Sequence, residues 1–118
     1  MATSTITNPL IFQRAINNGY CRNGKCEYAK IGQLVLVRIQ DMVMTADITH
    51  SSADSQQPLW TGLPAPASDT ANIFEIFNHE YGIMARVIVY RDGSIRPHYT
   101  TMQSEHGQYY GSFWYIAA

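Results

Sequence analysis

Two stretches of this chain alternate apolar and other side chains with a period of two, and that constrains its fold more than any other feature. In Gln33-Leu34-Val35-Leu36-Val37-Arg38-Ile39-Gln40, Val35, Val37 and Ile39 share one side, while Leu34, Leu36, Arg38 and Gln40 share the other. In Ile83-Met84-Ala85-Arg86-Val87-Ile88-Val89-Tyr90, Ile83, Ala85, Val87 and Val89 face one way, and Met84, Arg86, Ile88 and Tyr90 the other. Successive side chains leave a strand on opposite faces, so this pattern predicts two half-buried β-strands.

Weaker strands are predicted at 41–49, 73–77 and 95–101. A last strand is predicted over 109–116, with Tyr109, Gly111, Phe113 and Tyr115 alternating against Tyr110, Ser112, Trp114 and Ile116. Turn chemistry separates these runs. Arg91-Asp92-Gly93-Ser94 reads as a hairpin, and Ile31-Gly32 as a bend. Asn23-Gly24 sits at the centre of Tyr20-Cys21-Arg22-Asn23-Gly24-Lys25-Cys26-Glu27-Tyr28 and predicts a type I′ hairpin that brings Cys21 opposite Cys26. Such a pair is close enough for a disulfide; the alternative is two reduced, half-buried cysteines. Pro64 and Pro66 favour an extended path without ladder donors. Polar loops are expected at 50–58, 67–72, 78–82 and 104–108.

The count is about seven or eight short strands with no helical pattern between them, which predicts an all-β, antiparallel sandwich or barrel. The β-branched and aromatic bias agrees: 12 Ile and 5 Val stand against 5 Leu, with 8 Tyr, 4 Phe and 2 Trp. The length of 118 residues fits one domain. Residues 1–18 read as an N-terminal arm or, from Asn8-Pro9, a short helix; residues 19–118 read as the sheet domain.

Net charge is −1 and charged residues make up 14% of the chain, so the footprint of a nucleic-acid binder is missing. No apolar run approaches the roughly 20 residues of a membrane span. The start, Met1-Ala2-Thr3-Ser4-Thr5, lacks the basic and apolar pattern of a secretion signal.

Catalytic and metal chemistry find little support. Histidines 50, 79, 98 and 106 fall in or beside loops without ligand-pair spacing, and two cysteines cannot complete a four-ligand zinc site. Asp92, Glu80 and Glu105 are separated in the sequence, and Asp92 already serves a turn. There is no Gly-x-Ser-x-Gly elbow and no phosphate-cradling Gly-Lys loop. The expectation is therefore a protein without catalysis, cofactor or metal. Aromatic density is the better signal. Of the two faces of the 109–116 strand, one should be core, and the other could be exposed and available for a saccharide or subunit contact.

Three pieces in order carry a resemblance: Tyr28-Ala29-Lys30-Ile31-Gly32-Gln33-Leu34-Val35-Leu36-Val37; Gly62-Leu63-Pro64-Ala65-Pro66; and Ala85-Arg86-Val87-Ile88-Val89-Tyr90-Arg91-Asp92-Gly93-Ser94-Ile95, ending in Gly111-Ser112-Phe113-Trp114-Tyr115-Ile116. Over residues 20–118 the chain resembles the C-terminal receptor-binding or tip domains of bacteriophage tail-fibre and baseplate proteins. The Leu-Pro segment is shorter here than the Leu-Pro-x-x-x-Pro of that group. The resemblance implies a jelly-roll-like sandwich and a homotrimer located on the virion and made in the bacterial host cytoplasm. It also implies contact with other virion proteins and with a host-surface saccharide or protein. Loop residues His98, Tyr99, Gln108 and Tyr109 are the expected contacts. A purely structural trimeric cap or decoration domain is the alternative.

Overall fold

The computed structural model describes residues 10–50, 58–68, 72–78, 80 and 82–118, with the side chains at 49 and 50 left aside. The Asn8-Pro9 helix start, most of the 50–58 loop, His79 and the side chain of His50 lie outside the described residues.

Eleven strand segments follow in order among the described residues: β1 (Gln13–Arg14), β2 (Ile16–Asn17), β3 (Cys21–Ile31), β4 (Leu34–Met44), β5 (Ile48–His50), β6 (Trp60–Thr61), β7 (Ile73–Asn78), β8 (Met84–Val89), β9 (Ile95–Pro97), β10 (Thr100–Met102) and β11 (Gln108–Ile116). No α-helix occurs among the described residues; a 3-10 turn spans Ser104–His106. The chain is all-β and its ladders are antiparallel. The expected count of about seven or eight strands is exceeded because two-residue segments such as β1, β2 and β6 carry too little periodicity to be seen in sequence.

Nine strands form one sheet in the order β1-β3-β4-β11-β7-β8-β9-β6-β2, and β5 pairs with β10 separately. The two edge strands, β1 and β2, are separated only by Ala15. Ala15 is buried, and its N–H donates to the carbonyl of Cys26 at 2.9 Å. One short segment therefore supplies both sheet edges, and the sheet nearly closes into a barrel. Closure removes exposed edges, which otherwise invite pairing with other chains. Residues 10–18 are thus extended chain where described, not a helix.

The alternation sets the core. Val35, Val37 and Ile39 of β4 point inward, as do Ala85, Val87 and Val89 of β8 and Tyr109, Phe113 and Tyr115 of β11. Each fully buried aliphatic side chain of this size contributes roughly 1.5–3 kcal/mol over leaving it exposed. The Asp-Gly turn joins β8 to β9 as expected. Asp92 Oδ1 accepts from the Ser94 N–H at 3.0 Å and the Ser94 hydroxyl at 2.5 Å, while Arg96 Nη2 lies 2.8 Å from Asp92 Oδ2.

The Asn23-Gly24 hairpin is corrected. β3 runs unbroken from Cys21 to Ile31, and its turn to β4 falls at Gly32-Gln33, where Ile31 pairs with Leu34. Asn23 keeps a negative φ, so a type I′ turn cannot form there; Gly24 instead supplies φ of 88° inside a bulge. Its bulge faces a second irregularity, Asp41 at φ 55°. A Cβ on Gly24 would sit 2.4 Å from the Asp41 carbonyl carbon. An eleven-residue β3 against an eleven-residue β4 gains far more ladder and burial than a tight local hairpin. Cys21 pairs with Met44 and Cys26 with Ile39, so the cysteines lie along one strand rather than opposite each other. Both are buried free thiols.

The predicted 95–101 strand also divides. Tyr99 takes φ of 46°, and the chain leaves β9 to start β10 against β5.

Candidate binding face around Trp114

β11 positions the site. Its outward row is Tyr110, Ser112, Trp114 and Ile116, the opposite face from the core row. Trp114 is 59% exposed and Ile116 45%. Ladder partners extend the face sideways: Trp114 pairs with Leu36, and Leu36 with Ala29; Ile116 pairs with Leu34, and Leu34 with Ile31. Next to these apolar rows comes Ser112–Arg38–Glu27. Arg38 Nε donates to Glu27 Oε1 at 3.0 Å, and its guanidinium carbon stacks 3.8 Å from the Phe12 ring centre. Burial pushes the Glu27 carboxyl up, but the Arg38 hydrogen bond and the charges of Lys25, Arg38 and Arg14 outweigh it and hold it below the usual range.

Beside this face the sheet parts. β11 stays paired with β4 as far as Ile116, with one register shift between Tyr109 and Gly111, but pairs with β7 only through Tyr109–Asn78 and Tyr110–Phe77. The strands separate just after Gly111, where a Cβ would lie 2.5 Å from Ile76 Cγ2. Beneath the opening, Phe74 and Phe113 stack at 4.2 Å between centroids. Above them lies a groove of about 640 Å³, walled by Trp114 and Ile116 on one side and by Ser68, Asn72 and Phe74 on the other. Asn72 donates its side-chain N–H to the Ser68 carbonyl and fixes that rim. Among its described lining residues none carries a formal charge.

A second hollow of about 530 Å³ continues the groove past Ser112, between Tyr110, Phe77, Glu75, Gln40 and Arg38. The Tyr110 hydroxyl lies 2.6 Å from both Asp41 Oδ1 and Gln108 Oε1. A third of about 290 Å³ lies between Phe12, Leu36 and Trp114. Together they give aromatic surface with polar rims, the composition of a face that takes a ring or a chain against it. Among the described residues no cluster of three metal-ligating side chains occurs.

The four expected contact residues are not gathered into one surface. His98 is buried at the β9–β10 corner, where its ring meets the edge of Tyr99 at 4.8 Å. Tyr99 is 50% exposed. Gln108 opens β11 and is exposed, whereas Tyr109 is wholly buried, with its hydroxyl 3.2 Å from His106 Nδ1. Ser68, Asn72 and Phe74 gave no sequence signal as groove residues. Their place depends on β7 lying next to β11, which no local pattern encodes. The exposed row of β11 was one of two faces the alternation offered.

No protein-family model, no curated protein and no solved structure matches this chain.

Proposed function

We propose that this chain is a non-catalytic virion appendage domain of a bacteriophage, a homotrimer that binds a host-surface glycan or protein. The observation that carries the reading is the outward face of β11. A Trp exposed at 59% stands between apolar rows and a groove with polar rims. Large exposed apolar surface on a small domain marks an interaction site. The resembling segments also support it by meeting in space. Leu63 donates its N–H to the Gly93 carbonyl at 3.1 Å, and Ala67 donates to Ile116 at 2.8 Å, so the Leu-Pro segment joins the Asp-Gly turn to the last strand. In this reading the parting of β7 from β11 divides the nine strands into the two halves of a jelly-roll-like sandwich.

Repeated weak sites on a trimer would act by avidity. The apolar row Ile31–Leu34–Ile116, with Leu36 and Trp114 beside it, favours a second reading, a structural trimeric cap, in which this face is covered by subunits and meets no host ligand.

Light scattering on the purified chain, with a glycan array and binding to whole host cells, tests both. The proposal expects a mass three times that of the 13.3 kDa chain and binding lost in Trp114→Ser. A trimer that binds nothing favours the cap. A monomer that binds nothing sinks both.

A further inference from the structure

We propose that the cleft between β7 and β11 is a β-augmentation site, which takes an extended polypeptide segment from another protein. This goes beyond the adhesion reading and stands independently of it.

The argument is one of hydrogen-bond accounting. Along a strand, the N–H and C=O of one residue point to the same side, and those of the next residue to the opposite side. On β11, the Ala117 N–H donates to Gln33 on the β4 side, whereas the Ile116 carbonyl accepts from Ala67 on the other side. Ser112 and Trp114 have the parity of Ile116, so their peptide groups face β7. On β7, the Asn72 carbonyl accepts from Val89 and the Asn78 N–H donates to Ile83, both toward β8. Ile73 and Glu75 have the opposite parity, so their peptide groups face β11. The β7–β11 ladder ends at Phe77–Tyr110. Among the described residues, Ile73 and Glu75 on one wall, and Ser112 and Trp114 on the other, thus have no ladder partner across the cleft.

All four residues are exposed, so these groups face solvent as those of a free sheet edge do, and a free edge is a ready template for another strand. An extended strand supplies alternating N–H and C=O groups toward both walls at the right repeat, and β-augmentation is a recurring mode of peptide capture. Because β7 and β11 are antiparallel, the inserted strand runs parallel to one and antiparallel to the other. Between the Tyr110–Phe77 pair and the Ala67–Ile116 hydrogen bond, the opening along residues 111–115 spans roughly 13 Å at the usual strand rise, enough for a short segment. Glu75 stands on one wall and Arg38 lines the adjoining hollow, so recognition rests on the backbone of the occupant, and side chains on its outer face would lie beside Trp114.

Amide hydrogen exchange on the full chain, with and without the probe acetyl-(Thr-Val)3-amide, tests this. In the free protein the amides of Ile73, Glu75, Ser112 and Trp114 should exchange readily. Saturating probe should slow them at least tenfold and leave Phe113 and Tyr115 unchanged. A probe N-methylated at alternate residues keeps its side chains but loses one edge of donors, and should bind at least tenfold more weakly. Ser112→Pro, which removes one cleft-facing N–H, should do the same. Three results would overturn the proposal. One is protection of the four amides already in the free chain, which would mean that the chain's own residues fill the cleft. Another is equal binding of the methylated and unmodified probes. The last is protection by maltohexaose but not by the peptide, which would make the cleft a saccharide site.

Discussion

The phenol of Tyr115 donates a hydrogen bond to the carbonyl of Pro64 at 2.7 Å. It ties the last strand to the Leu-Pro segment across 51 positions of sequence. Tyr115 is buried, and burial pushes its hydroxyl well above the ordinary tyrosine range, so it stays a donor. Tyr115→Phe leaves that carbonyl unsatisfied in a partly buried place. The expected loss is about 1–2 kcal/mol, read as a Tm lower by roughly 4–8 °C. An unchanged Tm would mean that water replaces the bond.

Gly93 and Gly32 should respond differently to alanine. Both have positive φ, 80° and 60°. A Cβ at Gly93 would lie 2.1 Å from the Leu63 carbonyl oxygen, whereas at Gly32 nothing lies within 4 Å. Gly32→Ala should cost about 1 kcal/mol of backbone strain. Gly93→Ala must also force the Leu-Pro segment off the turn, and should cost about 3 kcal/mol or more. Denaturant unfolding of the two variants gives the comparison; equal losses would show that the contact is easily relieved.

Acid should destabilise the fold through Glu27 and Asp92. Burial raises both carboxyls, but Arg38 and neighbouring cations at Glu27, and Ser94 and Arg96 at Asp92, bring them below their ordinary values. A carboxyl with a depressed folded pKa contributes stability above its unfolded pKa of about 4, and that stability is lost as pH falls through the folded value. Stability should therefore decline below about pH 4, with a shallower decline in Glu27→Gln and Asp92→Asn. Chemical denaturation from pH 6 to pH 2 measures the slope. Identical slopes in wild type and both variants would refute the assignment.

The thiols carry the opposite dependence. Burial pushes Cys21 up to about 12, and pushes Cys26 higher still, with the charges of Cys21 and Glu27 adding to it. The unfolded thiols release protons above about pH 8.5 while the folded ones retain them, so stability falls as pH rises past that point. At pH 8 neither thiol should react with an aromatic disulfide reagent in the folded protein, and both should react in denaturant. Prompt labelling of the native chain would contradict their burial.

Trp114→Ser should leave the unfolding free energy within about 0.5 kcal/mol, because the side chain lies outside the core. A loss of oligomer or ligand at constant Tm would assign Trp114 to an interface. A large drop in Tm would assign it to the fold.

Much of the sheet was legible because it is local. Alternation in β4, β8 and β11 names the residues that turn inward, since the two-residue period depends only on the strand itself. Asp92-Gly93 forms its turn for the same reason: a side chain that bonds two residues on, followed by a residue free at positive φ, needs nothing distant. Asn23-Gly24 has equally strong local chemistry, yet becomes a bulge, because pairing β3 with the whole of β4 outweighs a tight hairpin. Sequence therefore determined which side chains turn inward along each clear strand. Tertiary structure alone decided which strands are neighbours: β1 and β2 close the sheet through Ala15, and β7 parts from β11 over the Phe74–Phe113 stack. Neighbourhood is set by packing between residues far apart in the chain, and no short window of sequence contains both partners.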